Sequence, residues 1–80
     1  MSITVNLYAA ARQAAQQSSV TIEATALTEA KAELIRQFPE LTSIIPQCSF
    51  IVNGHSFGIS GDCDLNSEHV IDVMPPFSGG

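Results

Sequence analysis

The last six residues, Pro75-Pro76-Phe77-Ser78-Gly79-Gly80, hold the most distinctive chemistry in the sequence. Two prolines fix φ and hold the chain extended. Six extended residues reach roughly 20 Å at 3.3–3.6 Å each. Gly79 and Gly80 have no side chains, so their backbone fits a slot that rejects any Cβ. The group offered at the tip is the Gly80 carboxylate. Phe77 is the one large apolar side chain on this lever, of the kind that anchors interfaces. The bland alternative is a frayed terminus. At average glycine usage of about 7%, two glycines there arise by chance about 0.5% of the time.

Elsewhere the reactive residues are thinly spread. His55 lies at a turn and His69 at the edge of an apolar run, and both read as exposed turn residues. Asp62 and Asp64 stand two apart in a polar stretch. A metal site needs more oxygen ligands at defined spacings, so they read as a solvated loop. Cys48 and Cys63 match neither C-x-x-C nor a zinc pattern. An iron–sulfur cluster needs four thiolates, so the pair reads as free thiols packed as small apolar groups. Cys63 could be a nucleophile only beside a group that orients it. There is no phosphate loop, no G-x-G-x-x-G and no H-E-x-x-H. The body reads as a scaffold for its own tail.

Composition narrows the class. Eighty residues suit one domain, 1–80, with a tail at 75–80. The chain is 45% hydrophobic and 14% charged, which is globular in character. Its net charge is −5, with Arg12, Lys31 and Arg36 as the only lysines or arginines. Nucleic acid and anionic membrane surfaces are poor partners for such a chain. A basic protein partner is compatible through electrostatic steering. No apolar stretch approaches the roughly 18 residues of a membrane span, and the start lacks a signal-peptide pattern. A cytoplasmic protein with reduced thiols is expected.

The elements that must position the tail follow from periodicity. Residues 3–8 alternate apolar and polar, as a half-buried strand does. Residues 9–17 are rich in helix formers and read as a short helix or turn. Residues 20–23 alternate again. Residues 25–38 form the clearest helix, with Leu27, Ala30, Leu34 and Phe38 on one face and Ile35 beside them. Thr25 or Thr28 is expected to cap its start, Glu29 and Arg36 suit its dipole, and Pro39 ends it. Residues 40–46 read as a loop with one short helical turn. Asn53-Gly54, between apolar runs within 48–59, signals a hairpin with a type I′ turn. Residues 70–74 are the last strand, stopped by Pro75 and Pro76. It is the most apolar candidate for a central place beside the first strand. The fold class is α+β: a small mixed sheet packed on one main helix, with an extended tail.

This order, with a Gly-Gly end, resembles the ubiquitin-like β-grasp sulfur carriers. Within them, "PPFSGG" is similar to the end of the small subunits of molybdopterin synthase, and "YAAAR" (8–12) to the family's aromatic-Ala-x-x-Arg. Gln16 stands where the family often has glycine, and Glu68-His69 where it often has Gly-Asp. The resemblance implies a subunit that is not an enzyme on its own and binds no cofactor permanently. An E1-like adenylyltransferase would spend ATP to adenylate the Gly80 carboxylate. A sulfur donor, such as a cysteine desulfurase or rhodanese-like protein, would convert it to a thiocarboxylate. The tail would then enter the large catalytic subunit, in a heterotetramer, and give sulfur to precursor Z for molybdenum cofactor synthesis. Gly79 would allow passage, while Pro75, Pro76, Phe77 and Ser78 would seat the tail. A carrier for thiamine thiazole or cysteine synthesis, and a ubiquitin-like protein modifier, remain open readings.

Overall fold

The computed structural model describes residues 2–57, 61–66 and 68–76. Strand β1 (Ser2–Leu7) leads into helix α1 (Ala9–Ala15), then strand β2 (Ser19–Glu23) and helix α2 (Leu27–Gln37). After two short 3-10 turns, Pro39–Leu41 and Ile45–Gln47, come β3 (Ser49–Val52), β4 (His55–Ser56) and β5 (Val70–Met74). The sheet order is β2-β1-β5-β3-β4, with β1 and β5 parallel and the other neighbours antiparallel. The last strand therefore sits at the centre beside the first, as its apolar content predicts.

Alternation decides which sheet face is dry. Ile3, Val5 and Leu7 of β1, Ile71 and Val73 of β5, and Phe50 and Val52 of β3 are buried. They form one core with Ala11 and Ala15 of α1 and Leu27, Ala30 and Leu34 of α2. The short helix α1 thus joins the main helix α2 in covering this face. Ile35 and Phe38 pack against the core while partly exposed, and so does Cys63. Lys31, half-buried, lays its ammonium over the Phe50 ring, 4.7 Å from the centroid, as a cation–π contact.

The turns hold the register. Asn53 and Gly54 both have positive φ, 49° and 85°, as a type I′ hairpin requires. Asn53 is also bonded twice to Val70 of β5: its backbone N–H donates to the Val70 carbonyl at 3.0 Å, and its side-chain Oδ1 accepts the Val70 N–H at 2.8 Å. The strands stop at Ser56, so the hairpin is shorter than the 48–59 pattern suggests, and residues 58–60 lie outside the described residues. Gly61 meets a different demand. A Cβ there would lie 2.3 Å from the Phe57 carbonyl oxygen.

Two boundaries and one cap differ from expectation. β1 ends at Leu7, because Tyr8 already serves as the N-cap of α1. α2 starts at Leu27, not at residue 25, because Ala26 is extended and both Thr25 and Ala26 are tied to a distant segment. The Leu65 N–H donates to the Thr25 carbonyl at 2.9 Å, and Ala26 bridges to Asp64. Neither threonine caps the helix through its side chain. Instead Asp62 Oδ1 accepts the Thr28 N–H at 3.0 Å and Oδ2 accepts the Thr28 hydroxyl at 3.1 Å. Glu29 reaches back to accept the Thr25 N–H at 2.6 Å. Asp62 is therefore a tertiary cap rather than part of a merely solvated loop. The segment after α2 forms two 3-10 turns where one was expected, each opened near a proline whose fixed φ suits it.

Two predictions arise here. Gln16 ends α1 in the left-handed region, φ 59° and ψ 32°, with its N–H donating to the Arg12 carbonyl. Glycine holds such a position without the Cβ penalty. Gln16→Gly should raise stability by up to about 1 kcal/mol, less the extra unfolded-state entropy of glycine. A rise in the urea midpoint checks it, and an unchanged or lower midpoint sinks it.

The second concerns Asp62, whose carboxyl is held below the usual carboxylate range, first by the Thr28 N–H it accepts. A depressed folded pKa adds stability above the unfolded value, lost as pH falls through the folded one. Asp62→Ala should therefore lower the melting temperature at neutral pH. The gap from wild type should close at pH values below the ordinary carboxylate range. A gap independent of pH would show that the charge contributes nothing.

Candidate functional site

The candidate site begins where the central strand runs out. β5 is paired on both sides, with β1 as far as Val73 and with β3 as far as Met74. Two prolines follow, and neither donates a ladder bond. Pro75 is half-buried and Pro76 exposed, so the chain leaves the sheet at this point. Phe77, Ser78, Gly79 and Gly80, the other tail residues singled out from sequence, lie outside the described residues.

Beside this exit lies the sheet face that the helices leave uncovered. Asn6, Asp72 and Ile51 form a cross-strand row on it. Tyr8, Val70 and Met74 stand around that row, and they are the exposed large hydrophobics among the described residues. Sequence reasoning missed this surface. The signal was present in the outward positions of the last strand, where Val70 and Met74 flank Asp72 and two of the three are apolar.

The other candidate residues are dispersed and have structural work. His55 is exposed in β4, opposite Val52. His69, expected to be exposed, is half-buried, and its Nδ1 accepts the Asn66 N–H at 3.0 Å just before β5. Cys48 is fully buried, with its thiol 3.2 Å from the Ile44 carbonyl oxygen. Burial pushes this thiol up. Burial does the same at half-buried Cys63, reinforced by the charges of Asp62 and Asp64. A raised thiol is a poor nucleophile at neutral pH. Both cysteines are free, as expected. Asp62 and Asp64 are both engaged with the start of α2, and among the described residues no cluster of three His, Cys, Asp or Glu could hold a metal ion.

An open cleft of about 360 Å³ is lined by Arg12, Gln13, Gln16, Gln17 and Ser18. It brings no acid, base or thiol together with a partner. Glu33 on α2 is pulled down to about 2, chiefly by the Arg36 side chain. That pair is on the surface, where ion pairs contribute little. Among the described residues, no helix is long and apolar enough to cross a membrane.

No protein-family model matches the sequence, and no curated protein matches it. Solved structures do match. The crystal structure of small archaeal modifier protein 1 from Haloferax volcanii aligns with a TM-score of 0.82 at 18% identity, over 100% of both chains. The solution structure of small archaeal modifier protein 1 from Methanosarcina acetivorans gives 0.78 at 19% identity, over 99% of this chain and 96% of that one. A chain from the complex of subunits 1 and 2 of the molybdopterin-converting factor of Helicobacter pylori gives 0.71 at 22% identity, over 100% of both. With its helix-covered five-stranded mixed sheet and central last strand, the chain has the ubiquitin-like β-grasp fold that these proteins share.

Proposed function

We propose that this chain is a sulfur carrier and serves as the small subunit of a molybdopterin synthase. One observation supports it above the rest. In a β-grasp fold, the central strand runs directly into Pro75-Pro76 and then Phe-Ser-Gly-Gly. The scaffold's role is to present that tail to its partners. A carboxylate is a poor electrophile, so an E1-like enzyme forms the Gly80 acyl-adenylate from ATP and releases pyrophosphate. The terminal sulfur of a persulfide attacks the acyl carbon and AMP leaves. A thiol then cleaves the sulfur–sulfur bond, which frees the thiocarboxylate. With Phe77 and Ser78 seating the tail and Gly79 passing the slot, the sulfur reaches precursor Z inside the large subunit. The groups that bind the substrate's phosphate belong to the partner, in keeping with a carrier of net charge −5.

The likeness to a chain of the subunit 1–subunit 2 complex favours this reading. The likeness to small archaeal modifier proteins favours a second, in which Gly80 forms an isopeptide bond to a lysine. Intact mass of the protein from its host separates the two. Exchange of one terminal oxygen for sulfur, with a large subunit co-purifying, is the expected result. Recovery only as lysine conjugates would establish the modifier. Loaded protein that co-purifies with a thiazole-forming or cysteine-forming enzyme would move the carrier to another pathway.

A further inference from the structure

Asp72 sits at the middle of the open sheet face. Ile51 stands across from it on β3 and Asn6 on β1. Val70 and Met74 flank it along β5, and the Tyr8 hydroxyl approaches it at 3.5 Å. Asn6 Nδ2 donates to Asp72 Oδ1 at 3.0 Å, and Tyr8 points at that same oxygen. Among the described residues, Oδ2 accepts no hydrogen bond. The face carries no lysine or arginine side chain, since Arg12 lies on α1, and Lys31 and Arg36 on α2, behind the sheet. Its charged side chains among the described residues are Asp72 and, at the rim, Glu23.

Met74 of this face directly precedes Pro75, so a partner that takes the tail, in the reading above, would lie beside it. Covering the apolar side chains would remove Asp72 from water as well. A carboxylate buried without a cation is costly, and removing one partner of a buried pair is strongly unfavourable. An arginine or lysine opposite Oδ2 offsets that cost, and the guanidinium fork fits a carboxylate best. A wholly apolar surface, which Tyr8, Ile51, Val70 and Met74 would otherwise accept, is rejected by the same charge. We propose that Asp72 is a specificity determinant of the docking face, selecting a partner that places an arginine or lysine within a complementary apolar patch. This rests on the reading that a large subunit takes the tail.

The test uses the full chain and the purified large subunit from the same host, titrated at low and high salt. Asp72→Asn keeps the side-chain shape, and its urea midpoint reports whether the fold is intact. We expect wild-type binding, with affinity lowered about tenfold or more in Asp72→Asn and a shallower salt dependence. Asp72→Lys should bind worse still, and should be rescued by reversing the charge of the facing basic residue on the large subunit. Wild-type binding with Asp72→Asn unchanged or tighter, and with the same salt dependence, overturns the role of Asp72 while leaving the carrier reading in place. A wild-type chain that does not bind the large subunit at all overturns both.

Discussion

Deleting Gly80 should abolish sulfur loading and leave the fold unchanged. The described core runs no further than Val73, and Met74 and Pro76 are already exposed. Gly80 has no side chain and lies outside the described residues that form that core. The truncated chain still ends in a carboxylate, on Gly79, so the loss would come from position and not from chemistry. Each residue of an extended tail spans roughly 3.3–3.6 Å. A misplacement of about 1 Å can cost about 10²-fold in a reaction that depends on aligned groups. Loading by the adenylyltransferase and sulfur donor should therefore fall by about 10²-fold or more, measured as thiocarboxylate in the intact mass. Circular dichroism and the urea midpoint should match wild type. A truncated chain that loads sulfur and supports cofactor synthesis would show that Gly80 is not the reactive terminus.

Phe50→Ala should have the largest effect on stability. The Phe50 ring is 1% exposed, pairs across the sheet with Val73 of the central strand, and lies beneath the Lys31 ammonium. Truncating a buried phenylalanine costs about 3–5 kcal/mol, through lost transfer energy and the cavity left behind. The cation over the ring adds about 0.5–2 kcal/mol. Domains hold about 5–15 kcal/mol in total, and small ones lie toward the lower end. The variant should therefore lose at least half of its unfolding free energy in urea and be partly unfolded near body temperature. Lys31→Met, which keeps the apolar stem, should cost far less. A loss below about 1 kcal/mol in Phe50→Ala would mean that the core closes around the gap.

The two effects separate scaffold from tool. A core variant lowers every activity together, through the folded population, while a tail variant removes transfer from a stable protein. Measuring stability and loading on the same samples tells them apart.

Legibility varied with the range of the interaction. The 70–74 strand, its central place beside the first strand and the Asn53-Gly54 hairpin were readable because each rests on local alternation or on local φ preference. The buried face of α2 was readable from its 3.6-residue spacing, although Phe38 proves only partly buried. The tail motif was also readable, being contiguous. What failed was non-local. The start of α2 is set by residues 62–65, more than thirty positions away, which tie down residues 25–28. No window of sequence around Thr25 contains that information. The left-handed conformation of Gln16 has no signal in glutamine itself; the glycine that the resembled family often has at that place was the pointer to it.

The sequence by itself determined the period of each element, the absence of a catalytic motif in the body and the chemistry that a Gly-Gly end can offer. These are properties of residue type and of neighbours a few positions apart. Only the tertiary structure decided that Tyr8, Asn6, Ile51 and Asp72 share one uncovered face. Asn6 and Asp72 are 66 residues apart and meet only because β1 and β5 pair in parallel. The helices cover one side of the sheet and leave the other uncovered among the described residues, and that asymmetry gives the face a carboxylate ringed by apolar side chains.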